Sequence, residues 1–68
     1  MKDLFEHRYD TLAAGDVLVA RDVGKVWLLV RAHGRLNVWL DLTDGELFEG
    51  VRDGKPVTGF EVVRAEGG

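Results

Sequence analysis

Two histidines, His7 and His33, three threonines, Thr11, Thr43 and Thr58, and a scatter of carboxylates are the side chains with reactive potential in this 68-residue chain. There is no serine and no cysteine. Serine- and cysteine-type triads are therefore excluded, because a base would have no such nucleophile to activate. Cysteine-based zinc modules and disulfide frameworks fall for the same reason. His7 and His33 lie 26 positions apart with no third histidine, and no carboxylate spacing completes a metal site around them. Gly24-Lys25 resembles the end of a phosphate loop. It lacks the upstream glycine and the following Ser or Thr, and it joins two strands where a helix should open. Asp41 to Glu46 resembles a calcium loop, yet counting back from Gly45 puts Leu40 where the first acidic ligand belongs. Asp41, Glu46 and Glu49 could pair as acid and base, but they sit near a hairpin tip where water keeps carboxylates ordinary. The expectation is a protein with no catalytic residues, no metal site and no cofactor.

Binding chemistry has better material. Trp and Arg are the residues most enriched at interaction hot spots. Trp27, Leu29, Arg31, Trp39 and Arg35 form the candidate patch, with Arg52 as a further candidate member. Protein contact, to a second copy or to a host protein, is the leading expectation. Nucleic-acid binding is the alternative, since bases stack on aromatics flanked by cations. The net charge of −3 and the absence of a basic stripe count against it. A third reading makes both indoles ordinary core on a second face of the sheet.

The elements that must position these residues are mostly strands. Val17–Arg21, Lys25–Ala32, Leu36–Leu42, Glu46–Arg52 and Gly59–Ala65 alternate or run apolar, separated by glycine-bearing turns. Residues 1–14 read as a short N-terminal helix. Asp3 and Glu6 give a capping-box start, and Phe5, Tyr9, Leu12 and Ala13 share one stripe before Gly15 stops it. An extended lead-in is the competing reading, because Asp10 and Thr11 are poor mid-helix residues.

Register fixes which side of the sheet each residue takes. Val26, Leu28, Val30 and Ala32 are apolar at every even position, as are Leu36, Val38, Leu40 and Leu42. If both sets face one core, the connecting loop must be odd. A three-residue His33-Gly34-Arg35 loop with a left-handed glycine then pairs Leu28 with Leu40 and Val30 with Val38. Trp27, Leu29 and Arg31 fall opposite Asn37, Trp39 and Asp41 on the other face. The next hairpin stays open. A two-residue Asp44-Gly45 turn puts Phe48 on the tryptophan face and Trp39 over Gly50; a three-residue loop puts Phe48 opposite Leu40.

Composition bounds the rest. With 46% hydrophobic and 31% charged residues the chain is no disordered segment. No apolar run reaches the roughly 18–20 residues of a membrane span. No signal-peptide core is visible, so the cytoplasm is the expected address. One domain of this size has modest stability, about 5 kcal/mol, and a raised prior for self-association. The acidic residues concentrate in positions 35–68, and Asp41, Asp44, Glu46 and Glu49 occur there without an intervening base.

Leu-Ala-Ala-Gly-Asp-Val-Leu-Val at 12–19 and Val-Trp-Leu-Asp-Leu-Thr-Asp-Gly-Glu-Leu-Phe at 38–48 resemble the small SH3-like barrels. Leu12, Gly15 and Asp16 match the turn into their first long strand, and Trp39 to Glu46 matches a strand closing on a Thr-Asp-Gly hairpin. Val26 stands where the KOW-type version has a second glycine. The aromatic pattern of proline-rich-peptide SH3 domains is missing. In this look, and in a composition favouring GC-rich codons, the chain is similar to accessory proteins of phages or mobile elements from high-GC bacteria. The resemblance implies an all-β fold: a five-stranded SH3-like, or OB-like, barrel over residues 16–65 behind the N-terminal segment.

Overall fold

The computed structural model describes residues 7–64. Five antiparallel strands form one sheet: β1 (Val17–Ala20), β2 (Lys25–His33), β3 (Leu36–Asp41), β4 (Leu47–Val51) and β5 (Glu61–Val63). Their order across the sheet is β4-β3-β2-β1-β5. The fold is all-β, and each expected strand is present with its ends moved by a residue or two. The meander runs from β1 to β4, and the last strand returns to pair with the first.

The N-terminal helix does not form where the chain is described. Asp3, Phe5 and Glu6 lie outside the described residues. Arg8 makes an antiparallel bridge with Pro56, Tyr9–Thr11 make a single 3-10 turn, and Leu12 is extended. Two competitors defeat the helix. The Thr11 hydroxyl accepts from the Arg8 N–H at 3.1 Å and donates to the Arg8 carbonyl at 2.8 Å, a local alternative to helical bonding. Tyr9 and Asp10 then send their N–H groups to the carbonyls of Lys55 and Asp53 at 3.1 and 2.8 Å.

The β2–β3 hairpin keeps the expected register at its base, with Leu28 opposite Leu40 and Leu29 opposite Trp39. Its tip differs. The connection is a two-residue Gly34-Arg35 turn between paired His33 and Leu36, with Gly34 left-handed at φ 61°. The odd residue is absorbed by a β-bulge at Val30, so that Arg31 pairs with Val38 and Ala32 with Asn37. The β3–β4 connection matches neither expected length. Trp39 pairs with Phe48 and Leu40 with Leu47, and the Asp41 N–H donates to the Glu46 carbonyl at 2.8 Å, which leaves four residues, 42–45, in the loop. Phe48 therefore lies on the tryptophan face.

The largest correction concerns which face is the interior. Leu12, Leu18, Leu29 and Trp39 form the buried cluster, with Trp27, Phe60 and Tyr9 packed against it. The tryptophan side is the inner face. The even-numbered set expected as core is the outer face, apart from Ala32, which the bulge turns inward. The inner face is the one that acquires a cover, so the apolar area of Trp27, Leu29 and Trp39 leaves water there. The N-terminal segment, Val57 and Phe60 supply that cover.

Candidate interaction surface

The inner face is held shut by buried polar groups at positions that read as solvent-facing. Asn37 is fully buried. Its amide donates to the Tyr9 carbonyl at 3.1 Å and accepts from Arg52 Nη1 at 3.0 Å. The Arg52 guanidinium also donates to the carbonyls of Leu12 at 2.9 Å, Asp10 at 2.9 Å and Tyr9 at 3.4 Å. One planar fork thus ties the end of β4 to three backbone oxygens of the N-terminal segment. On the far side, the buried Asp16 carboxylate accepts from the Ala13 N–H and from Arg64 Nη2, both at 2.9 Å. These bonds fasten the strap that lays Leu12 over Leu29.

Asp41, also buried, is paired across the sheet with Trp27. The Thr43 hydroxyl and the Thr43 N–H both donate to it, and Lys25 Nζ stands 3.2 Å away. Its carboxyl is lowered to about 2, first by the Thr43 hydroxyl, next by the Thr43 backbone N–H, with a smaller part from Lys25. Asp41 is therefore committed as an anion that shapes the β3–β4 loop.

An open hollow of about 350 Å³ remains on the inner side, lined by Tyr9, Trp27, Trp39, Phe48 and Phe60 with Asp53 and Lys55 at its mouth. Trp27 meets Phe60 edge-to-face at a centroid distance of 5.4 Å. Gly50 floors it: a Cβ there would stand 3.2 Å from Trp39 Nε1.

The outer face is a different surface. Val63, Val17, Leu28, Leu40 and Leu47 form one apolar row across all five strands. Val19 and Val26 lie on one side of it. On the other side come Arg31, Val38 and Glu49, and then His33, Leu36 and Val51. Leu47 is 63% exposed, Val51 66% and Leu36 44%, and Val63, Val30 and Leu42 are exposed as well. Scattered apolar residues are normal on a surface; here several of them share one face of the sheet.

The five candidate residues do not come together. Leu29 and Trp39 are core, and Trp27 is half-buried in the inner hollow. Arg31 is exposed on the opposite, outer face, because the Val30 bulge intervenes. Arg35 is exposed in the turn, where its carbonyl accepts from the Arg52 N–H at 2.8 Å. The stacking surface flanked by cations that nucleic acid would need is therefore not assembled from them. Sequence reasoning missed Leu36, Leu47, Val51 and Val63 as surface residues, although the apolar run on both faces of β2 and β3 was a visible sign that one face would be left over. No group of His, Asp and Glu able to hold a metal occurs among the described residues. None of their helices is long and apolar enough to cross a membrane.

Comparison with protein-family models, with curated proteins and with solved structures finds no match. The reading of this surface rests on its own geometry.

Proposed function

We propose that the chain is a non-enzymatic protein-interaction module that docks through the outer, aliphatic face of its sheet. The observation that carries the reading is the apolar row Val63–Val17–Leu28–Leu40–Leu47, exposed at its Val63 and Leu47 ends and half-buried between them, with the exposed Leu36 and Val51 beyond it. Burying that face would release roughly 25 cal/mol for each Å² of apolar surface removed from water. The non-enzymatic half follows from composition and from Asp41. Serine and cysteine nucleophiles are missing, and the buried carboxylates of the described residues are engaged, Asp41 by Thr43 and Lys25 and Asp16 by the Ala13 N–H and Arg64. The resemblance of residues 12–19 and 38–48 to small SH3-like barrels extends the reading to that class of small accessory proteins. Partners are proteins, either a second copy or a host protein.

Carbene footprinting tests the proposal. The purified chain at nanomolar concentration should label at Leu36, Leu47 and Val51. In a concentrated lysate of the source cells the same residues should lose most of that label, while an unfolded control does not. Equal labelling in both settings contradicts the reading.

A further inference from the structure

The occupant of the outer face can be narrowed by its charges, given the reading above that this face docks a protein. Arg31 and Glu49 flank Val38 in one cross-strand row, on β2 and β4. Both are exposed, and neither has an ion-pair partner among the described residues. With Leu36 and His33 they outline a hollow of about 200 Å³ centred on β3. We propose that the occupant is a second copy of this chain, packed sheet to sheet about a two-fold axis running along β3.

That axis follows from the pattern. An in-plane two-fold along a strand exchanges the strands on either side of it, so β2 of one copy meets β4 of the other. Arg31 of each copy then faces Glu49 of its mate, twice per dimer. Val38, Leu40 and Leu36 each close on their own symmetry mate, and Leu28 meets Leu47. An axis along β2 would instead set Arg31 against Arg31, and like charges in a contact are strongly disfavoured. The charged residues of this patch are thus self-complementary in one arrangement, as an isologous interface requires.

The area agrees with an association of limited strength. Strands about 4.8 Å apart and same-face rows about 6.8 Å apart assign about 33 Å² to each side chain, so the three rows shared by β2, β3 and β4 give roughly 300 Å² per copy. The pair buries about 600 Å², the size of a weak, transient contact. A monomer–dimer equilibrium in the range of hundreds of micromolar is the expected strength. Val63, on the far strand, lies outside the overlap.

Sedimentation equilibrium of the intact chain, from nanomolar to millimolar, tests the assignment. Arg31→Glu and Glu49→Arg, each alone, should weaken the dimer about tenfold or more, since each turns two attractive contacts repulsive. Mixing the two single variants should restore association, because every 31–49 contact in the mixed pair is again of opposite sign. The double variant should also recover. Circular dichroism checks that these exposed changes leave the fold intact. Leu36→Asp should abolish the dimer, while Val63→Asp leaves it within about twofold of the parent. A parent chain that stays monomeric at millimolar concentration overturns the assignment. So does a dimer indifferent to the charge exchange. The lysate footprint, read separately, then decides whether a different protein covers the face, so failure here and failure of the module reading are distinguishable.

Discussion

The two faces of this sheet draw on the same five strands and comparable stocks of apolar side chains, yet they have different fates. The inner face carries the aromatics and the polar residues Asn37 and Asp41; the outer face carries mostly Val and Leu, with Arg31, His33, Glu49 and Glu61 among them. Simple alternation assigns the aliphatic face to the core and the mixed face to water. The opposite happens because distant segments satisfy the polar groups. Arg52, the Tyr9 carbonyl and Thr43 give Asn37 and Asp41 their partners, so their burial is tolerated. Once those partners are in place, Trp39, Trp27 and Leu29 can leave water beneath Leu12, Tyr9, Val57 and Phe60. A polar residue on a strand is thus no vote for solvent until its possible partners elsewhere in the chain have been counted.

The contrast can be broken most severely at Leu29. Leu29→Ala leaves a cavity beneath Leu12 and should cost about 3–4 kcal/mol, enough to unfold much of a domain this small. Leu47→Ala on the outer face should change stability of the monomer by less than about 0.5 kcal/mol. Urea denaturation of dilute samples measures both, and equal costs would erase the distinction between the faces.

A smaller break removes the polar fastening. Arg52→Ala removes the donor from Asn37 Oδ1 and from the carbonyls of Asp10 and Leu12, and should cost about 2–3 kcal/mol. Arg52→Lys should recover only part of that, because one ammonium cannot reproduce the planar fork. Hydrogen exchange should report the loss first at the amides of Tyr9 and Asp10, whose acceptors lie in the 53–55 segment.

The mildest test uses pH. Asp41 is held at about 2 in the folded chain against an ordinary 3.8. The unfolded chain therefore binds a proton first as pH falls. The stabilisation from this group is complete above about pH 4 and is lost progressively toward pH 2. Thr43→Val removes the leading cause, the hydroxyl donor, and should flatten that part of the stability profile. A profile unchanged between the two proteins would mean that Thr43 does not set the Asp41 carboxyl.

Local signals made much of the fold legible. Alternating apolar residues marked β2 and β3, short apolar stretches marked β1, β4 and β5, glycines marked the turns, and the pairing of Leu28 with Leu40 followed from pattern matching alone. The Val30 bulge left no compositional trace: an odd loop and a bulge with an even turn solve the same register problem equally well. That ambiguity moved Arg31 to the far face and dissolved the predicted Trp–Arg patch. The four-residue β3–β4 loop was hidden similarly, since the Asp41 contacts with Thr43 that hold it are side-chain bonds within a turn. The candidate site was the least legible part, because it depends on which of two apolar faces acquires a cover, and the cover comes from Tyr9, Leu12, Val57 and Phe60 at the two ends of the chain.

Solvent paramagnetic relaxation of methyl and indole protons in a dilute sample asks the decisive question, because it reads the exposure of each face directly. The methyls of Leu36, Leu47, Val51 and Val63 should broaden strongly on adding a soluble relaxation agent, while Leu12, Leu18, Leu29 and the indole of Trp39 stay sharp. Sharp outer methyls beside a broadened Trp39 would show that the sheet is covered on the other side and would contradict the account.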